Sequence, residues 1–487
     1  MNVSNVIDAE VRLRTTVAPK FLISPAMLPG LAYVLDAVAI LLAAVAASVL
    51  WGGVSSAEGL RQEVCVLLTL AVYSLWGFAG SLYALTTISR PFGRTDGIVI
   101  ALGAAALLYL AAAYGFGAEN PLLQPWVWGF YGTSLAFLFA GRILGWRAFR
   151  KLGERGVIGR SLVVLGVGEQ SRRFLSQLAD TQPYFCNVVG VYECRRGESN
   201  GRLLFEGIPV MGDLDDLLNH ARDHKTDDIV IAASWNAGGH VADAIDRLKE
   251  LPVNVYLSTE LTGFEFAFQP TLGYYRETPM FEVYQRPISG WSAALKALED
   301  YVIAFCALVL IAPLLIMIAI AIKIDSSGPV FFMQERLGFN NKVFKIFKFR
   351  SMYHREEPEG VVKQAQRGDP RVTRVGRFIR ATSLDELPQL LNVLNGTMSL
   401  VGPRPHAISH NQEYGTQIRG YFARHRVKPG ITGWAQINGL RGETETLDKM
   451  VARIQHDIFY ADNWSLLFDI RILFMTAFVV PFQKSAY

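Results

Sequence analysis

The sequence predicts a membrane α protein joined to an α/β block: four transmembrane helices, then a soluble domain on a parallel sheet, then a basic membrane-associated domain with a re-entrant helix. Three observations predict it. Apolar residues gather in bilayer-length runs near the N-terminus, short β-branched runs alternate with helical stretches in the middle, and a fifth apolar run precedes the most basic part of the chain. At 487 residues, 51% hydrophobic and only 18% charged, the chain is too long for one small module and too apolar for a disordered one. Its net charge of +4 is too mild to indicate a nucleic-acid partner.

The four spans come first. Leu31–Trp51 carries one charge, Asp36, while Val64–Ile88, Gly97–Ala118 and Pro121–Gly141 carry none. Each exceeds the ~20 apolar residues that cross a hydrocarbon core as a helix. The first run begins too far into the chain, and lacks the small-residue cleavage pattern, to be a signal peptide. Arg12, Arg14 and Lys20 precede it; Arg90 and Arg94 occupy the second loop; Arg142, Arg147, Arg150, Lys151, Arg155 and Arg160 follow the fourth run. The other two loops hold only Arg61, so both ends of the four-helix region are expected in the cytoplasm. Asp36, near the cytoplasmic end, is expected to reach the headgroups. Cys65, Cys186, Cys194 and Cys306 are spaced for neither zinc nor a disulfide framework.

From Ser161 the pattern turns globular. Strands are expected at Leu162–Leu165, Asn187–Tyr192, Ile229–Ala233 and Val253–Leu257, with helices between them such as Val241–Leu251, which implies a parallel sheet. Gly166-Val-Gly168 after the first strand resembles a dinucleotide-binding turn, with Glu193 near the place of a ribose-binding acid. Ser171 replaces the third glycine of that fingerprint, so a packing or regulatory module is the preferred reading and a nucleotide site the weaker one.

Tyr301–Ile322 is uncharged and long enough to span. Spanning would export Lys323–Leu384, which holds 13 Lys and Arg against 6 Asp and Glu, against the positive-inside tendency. Pro313 sits mid-run, where it removes a backbone bond and breaks or kinks a helix. A helix that enters, turns at Pro313 and leaves on the cytoplasmic side meets both constraints. Beyond it, Phe344–Arg350 alternates apolar and cationic residues, and Arg371, Arg374, Arg377 and Arg380 recur every third residue. That layout suits a lipid surface and phosphate, with Lys348 and Arg350 as candidate ligands.

Thr382-Ser-Leu-Asp385-Glu386-Leu-Pro388 has the residues for chemistry. Pro388 is tolerated only in a first helical turn, which puts a helix start near Leu384 or Asp385. Adjacent carboxylates there can divide the work, one attacking phosphorus and one holding a divalent cation. Ser383-x-x-Glu386 equally fits a capping box. Further on, Arg404 is fixed between Pro403 and Pro405, a stiff presentation for a phosphate contact, and Lys428-Pro-Gly-Ile-Thr-Gly-Trp434 makes a second rigid turn.

Together these segments resemble the polyprenyl-phosphate hexose-1-phosphate transferases. The matching stretches are Lys296–Asp300, Gly328-Pro-Val-Phe-Phe, Lys348-Phe-Arg-Ser-Met352, Asp369-Pro-Arg-Val-Thr373, Ser383–Gln389, Met398–Pro405 and Lys428–Trp434. The resemblance implies a tail over 1–30, a four-helix region over 31–145, a Rossmann-like domain over 160–262 and a linker over 263–295. A mainly helical catalytic phosphoglycosyl transferase domain over 296–487 follows, with its re-entrant helix at 301–322. It implies Asp385 as nucleophile on a UDP-sugar, Glu386 with Asp385 holding Mg²⁺, and Arg380 and Arg404 on phosphates. Pro313 is the implied helix break, undecaprenyl phosphate the acceptor and UDP-glucose the expected donor, with galactose next. The implied setting is a bacterial inner membrane with the catalytic domain on its cytoplasmic face, no nucleic acid, and a homodimer as an open question. Lys296-Ala297 departs from the family's usual Lys-Arg, which puts a lipid-head contact there in doubt. Two other classes remain open: a membrane-tethered NAD-dependent sugar-modifying enzyme, and a non-catalytic scaffold for polysaccharide assembly.

Overall fold

In lipid the backbone must satisfy its own hydrogen bonds, and a helix does so within one segment. The computed structural model accordingly has helices over all four N-terminal runs. It describes residues 23–51, 56–88, 90, 93–116, 124–181, 186–195, 201, 203–232, 238–258, 271–275, 278–353, 369–440 and 446–479. These fall into two units, one within residues 14–160 and 182–187, the other within 161–181 and 188–487.

The first unit is a bundle of α1 (Leu28–Trp51), α2 (Ser56–Ala79), α3 (Thr95–Gly115) and α4 (Pro125–Glu154). Helix α2 ends short of Ile88 because Ser81 adopts a left-handed φ of 55° and turns the chain into a short helix, Leu85–Ile88. Helix α1 buries Ala32, Ala39, Ala43 and Ala47 along one stripe, and small residues let α4 come close. Thr133 Oγ1 of α4 donates to the Ala43 carbonyl (3.3 Å), and Trp126 Nε1 donates to Ser48 Oγ (3.1 Å).

Asp36 does not reach the headgroups. It is 3% exposed, accepting from Arg142 Nη2 at 2.7 Å and from the Tyr73 hydroxyl at 3.0 Å. A lone carboxylate among apolar helices would cost several kcal/mol, so it takes an interior partner. Arg142, counted above with the cytoplasmic flank, supplies that partner.

The second unit begins with an α/β sheet. Its strands are β1 (Arg160–Leu165), β2 (Cys186–Tyr192), β3 (Asp228–Ile231), β4 (Asn254–Ser258), β5 (Thr271–Tyr275) and β6 (Thr278–Tyr284), in the order β2-β1-β3-β4-β6-β5. Helices α5 (Glu169–Thr181), α6 (Leu214–Asp223) and α7 (Gly238–Leu248) come between strands. Strands β1, β3 and β4 pair in parallel, but β6 runs antiparallel to both β4 and β5. The sheet is therefore mixed, and the stretch expected to be a linker supplies two of its strands. Phe281, Val283 and Tyr284 suit a strand, and Thr271–Tyr275 pairs with it in antiparallel register from Tyr275 opposite Thr278 to Thr271 opposite Glu282.

Helix α8 (Gly290–Asp325) runs 36 residues without interruption. Pro313 lies inside it, so the helix does not break there as expected; losing one N–H is tolerated when the flanking turns keep their bonds. Counting α8, five helices among the described residues are long and apolar enough to cross a membrane, one more than the four spans expected.

After α8 come the hairpin β7 (Phe331–Leu337) and β8 (Val343–Phe349), then α9 (Arg374–Ala381) and α10 (Gln389–Leu394). A short parallel pair follows, β9 (Ser399–Val401) with β10 (Gly430–Thr432). Between these two strands lies α11 (Ile408–Gln417); after them come α12 (Trp434–Ile437), α13 (Leu447–Asp462) and α14 (Leu466–Val479). Ala304, Ile346, Leu390, Val393, Leu400, Tyr460 and Ile472 form the core beneath this region.

Candidate active site

The turn carrying the two carboxylates is set by its neighbours. Helix α9 starts at Thr373, whose side chain accepts from Gly376 N (2.9 Å). Gly376 lies flat on the Ser351 backbone, where a Cβ would stand 2.0 Å from the carbonyl oxygen, so no other residue fits. After α9, Ser383 takes a left-handed φ of 58° and throws the chain into a 3₁₀ turn, Leu384–Glu386, before Pro388 and α10. A helical turn does start at Leu384, as expected, but it is 3₁₀, and the α-helix itself begins at Gln389. Ser383 makes no capping bond to the turn, so the capping-box reading of Ser383 and Glu386 fails.

Glu386 is spent on cations instead. Arg404 grips it with two prongs, Nη2 to Oε1 at 2.5 Å and Nη1 to Oε2 at 3.1 Å, while Lys348 Nζ donates to Oε1 at 2.8 Å. Lys348 reaches in from β8. Arg404 reaches in from the Gly402-Pro-Arg-Pro segment, which β9 and β10 hold by backbone contact. Gly402 N donates to Thr432 O and Gly430 N to Pro403 O, each at 2.9 Å. A Cβ on Gly402 would meet the Lys428 carbonyl at 2.4 Å.

Asp385 differs from its neighbour. Among the described residues it makes no hydrogen bond or ion pair. Burial, and then the charge of Glu386, push its carboxyl up to about 6, against the pull of Lys348, Arg380 and Arg404. Burial also opposes the Glu386 charge, but Arg404 and Lys348 overcome it and hold that carboxyl well below the usual range. Two adjacent acids are thereby separated: one firmly ionised and caged, the other half-buried, unpaired among the described residues and titrating closer to neutrality.

The structure thus brings together Asp385, Glu386, Lys348 and Arg404, with Arg380 on the last turn of α9 close enough to act on Asp385. Arg350 is not with them. It is 5% exposed and donates to the Ser326 and Ser327 carbonyls, both at 2.7 Å, and to Ser326 Oγ at 2.9 Å, closing the end of α8. Its neighbour Phe349 is buried, and the open carbonyls after α8 take its donors. Lys296 is buried in α8 against Asp469 (2.6 Å), Asp300 (3.0 Å) and Glu299 (3.7 Å), an ion cluster and not a lipid contact.

Gly166 and Gly168 lie in the α/β sheet, where the turn is stitched closed. Gly166, at φ 116°, donates to Tyr192 O at 2.7 Å, and the Ser171 hydroxyl stands 2.8 Å from the Gly166 and Ala232 carbonyls. The serine that replaces the third glycine therefore binds its own turn.

Sequence reasoning missed Arg336 on β7. Burial, and then Arg404, bring its guanidinium down to about 10, and its Nε is buried without a partner among the described residues. Its place beside Ala407, three residues past Arg404, is set by a long-range bridge that no local motif reveals. Among the described residues no group of three or more His, Cys, Asp and Glu could hold a metal ion. Asp385 and Glu386 are the acids present for a cation such as Mg²⁺, which takes one or two carboxylates and completes its shell with phosphate and water; both Glu386 oxygens already accept from Arg404 and Lys348, whereas Asp385 has no partner among the described residues.

Comparisons with known proteins bear on the chain as a whole. A family model described as "Bacterial sugar transferase" matches residues 291–483, and one described as "CoA-binding domain" matches residues 81–259. A UDP-glucose:undecaprenyl-phosphate glucose-1-phosphate transferase of Escherichia coli (strain K12) is 41% identical over 364 residues, 71% of this chain and 76% of the relative. The protein of the same name from Xanthomonas campestris pv. campestris is 35% identical over 442 residues, 89% of this chain and 88% of its own length. A UDP-N-acetylgalactosamine-undecaprenyl-phosphate N-acetylgalactosaminephosphotransferase of Aeromonas hydrophila is 45% identical over 184 residues, 38% of this chain and 43% of the relative.

Proposed function

The chain belongs to the bacterial sugar transferase family, and from that premise we propose how its residues perform the reaction. It transfers hexose 1-phosphate from a UDP-sugar to undecaprenyl phosphate, the first step of exopolysaccharide or capsule repeat-unit assembly. Asp385 Oδ attacks the β-phosphorus of the UDP-sugar, the bond to the bridging oxygen breaks, and UMP leaves. A phosphate oxygen of undecaprenyl phosphate then attacks the same phosphorus, freeing the Asp385 carboxylate and giving undecaprenyl-diphospho-hexose. The observation that carries this reading is the division between the carboxylates: Glu386 is caged by Arg404 and Lys348, while Asp385 beside it has no partner among the described residues.

A diphosphate donor and a phosphate acceptor must both approach a carboxylate, and Lys348, Arg380, Arg404 and Arg336 offset that repulsion. Asp385 and Glu386 would hold Mg²⁺, which when bound neutralises phosphate charge. Glucose is the proposed hexose, since the relatives matched over most of this chain carry that name, whereas the acetylgalactosamine relative matches 38% of it.

The membrane setting extends the proposal. Arg147, Arg150 and Lys151 near the end of α4, with Arg155 and Arg160 just beyond it, favour a cytoplasmic exit. A re-entrant α8 is supported by the basic stretch that follows it, 13 Lys and Arg against 6 Asp and Glu over Lys323–Leu384. Its two halves also join two cores of one domain: Ala304 belongs to the cluster of Ile346, Leu390 and Val393, and Ile318 and Ile322 to that of Phe349 and Ile379. Exposed Phe332, Met333 and Phe378 near the site suit an interfacial seat.

The test is release of UMP by the purified chain from UDP-glucose, Mg²⁺ and undecaprenyl phosphate, with mass spectrometry of a trapped phospho-sugar adduct. The adduct should map to Asp385; its appearance on any other residue defeats the mechanism.

A further inference from the structure

The segment that presents Arg404 is hard to hold in place. Pro403 and Pro405 have no N–H, so its backbone must be anchored largely through carbonyl groups. Pro403 O takes Gly430 N, and the Arg404 carbonyl takes Nη2 of Arg424. Arg424 lies in the Tyr421–Arg426 3₁₀ turn and is 1% exposed despite its charge. Asp457 of α13 forms an ion pair with it, Oδ2 standing 2.8 Å from Nη2, and that carboxylate is itself 2% exposed. The second prong, Nη1, stands 2.9 Å from Nε2 of His406.

The His406 ring is fixed by further contacts. Its Nδ1 lies 2.7 Å from the Tyr421 hydroxyl, which in turn donates to Asn411 Oδ1 at 2.9 Å. Nη1 of Arg424 also reaches Nδ1, so it lies against both ring nitrogens. Burial, and then the Arg424 cation, hold this histidine well below its ordinary range, so the ring stays neutral. Arg424 thus grips positions 404 and 406 of one rigid segment, behind the face that Arg404 turns toward Glu386.

We propose that Arg424 is a positioning residue for sugar-phosphate transfer: its guanidinium, anchored on Asp457, holds the Arg404 carbonyl and the His406 ring and so sets where Arg404 points. The inference rests on the reading of Arg404 as a phosphate-binding residue. Only a planar fork reaches both partners; a lysine keeps the charge opposite Asp457 but serves one contact. Misplacing a substrate-orienting group by ~1 Å costs up to ~100-fold in rate.

The experiment is a double-mutant cycle on the full chain in detergent or nanodiscs, following UMP release with Arg424→Lys, Arg404→Ala and both. Arg424→Lys should lower kcat/KM by ~10–100-fold and raise KM for UDP-glucose. Added to Arg404→Ala it should cost less than ~2-fold more, because the group it positions is gone. An unchanged KM, which simple loss of folded molecules would give, overturns the proposal, as do losses that multiply in the double variant. Full activity of Arg404→Ala alone would instead sink the underlying reading. Should Arg424→Lys not fold, Asp457→Asn carries the same test, and KM at the unsubstituted value overturns the role.

Discussion

Asp385→Asn should make the protein inactive and, at neutral pH, more stable. The half-buried carboxyl titrates at about 6 in the folded chain, against an ordinary value of 3.8. Every tenfold weakening of its acidity on folding is worth ~1.4 kcal/mol, so above pH 6 the ionised side chain costs the folded state up to ~3 kcal/mol. The folded value is raised, so stability from this group is present below pH 3.8 and is lost as pH rises toward 6. Asparagine has no such titration. The variant should therefore gain ~3 kcal/mol at pH 8, roughly half of that at pH 5 and little at pH 4. At about 2–4 °C per kcal/mol for a domain of this size, the pH 8 gap is roughly 6–12 °C in Tm. Thermal-shift curves of both proteins at the three pH values measure it. A gap that does not shrink with acid, or a variant less stable at pH 8, would refute the claim that Asp385 is held charged at the fold's expense.

Four further outcomes follow from the same contacts. Turnover should rise with pH through about 6 as Asp385 ionises, seen as an acid limb in kcat/KM for UDP-sugar, and a limb near 4 would contradict its desolvation. Glu386→Gln removes the anion that Lys348 and Arg404 share, so both the rate and the Mg²⁺ dependence should change; an unaltered Mg²⁺ titration rejects its part in holding the metal. Gly402→Ala drives a Cβ to 2.4 Å from the Lys428 carbonyl and should cost more than ~2 kcal/mol and most activity, so a normal Tm with full turnover would contradict the tight β9–β10 approach. Asp36→Asn strands the buried Arg142 and should cost ~3–5 kcal/mol of bundle stability, whereas Asp36→Asn with Arg142→Gln should recover much of it. Equal losses in single and double variants would show that the pair is not coupled.

Much of this architecture follows from residue order alone. Hydropathy is a sum over consecutive side chains, so the runs around Asp36, Tyr73, Tyr109 and Phe130 announce their helices without knowledge of any partner. The β-branched runs at Leu162 and Ile229 announce strands on the same local grounds. Asp385, Glu386, Lys348 and Arg404 could be singled out because proline, adjacent acids and alternating cations leave a mark within a few positions. Only the folded chain decided what each charge is for. Arg350, two residues from Lys348, faces the Ser326 and Ser327 carbonyls, while Lys348 faces Glu386, 38 positions away. Asp36 meets Arg142 across 106 residues, and Arg424, despite its charge, is among the most deeply buried side chains. Thr278–Tyr284 likewise became part of a sheet only through pairing with β4, and Thr271–Tyr275 only through pairing with Thr278–Tyr284. The transfer of an apolar side chain out of water depends on that side chain, whereas a charge is stabilised by whatever stands within about 3 Å of it. Proximity at that scale is a property of the tertiary fold.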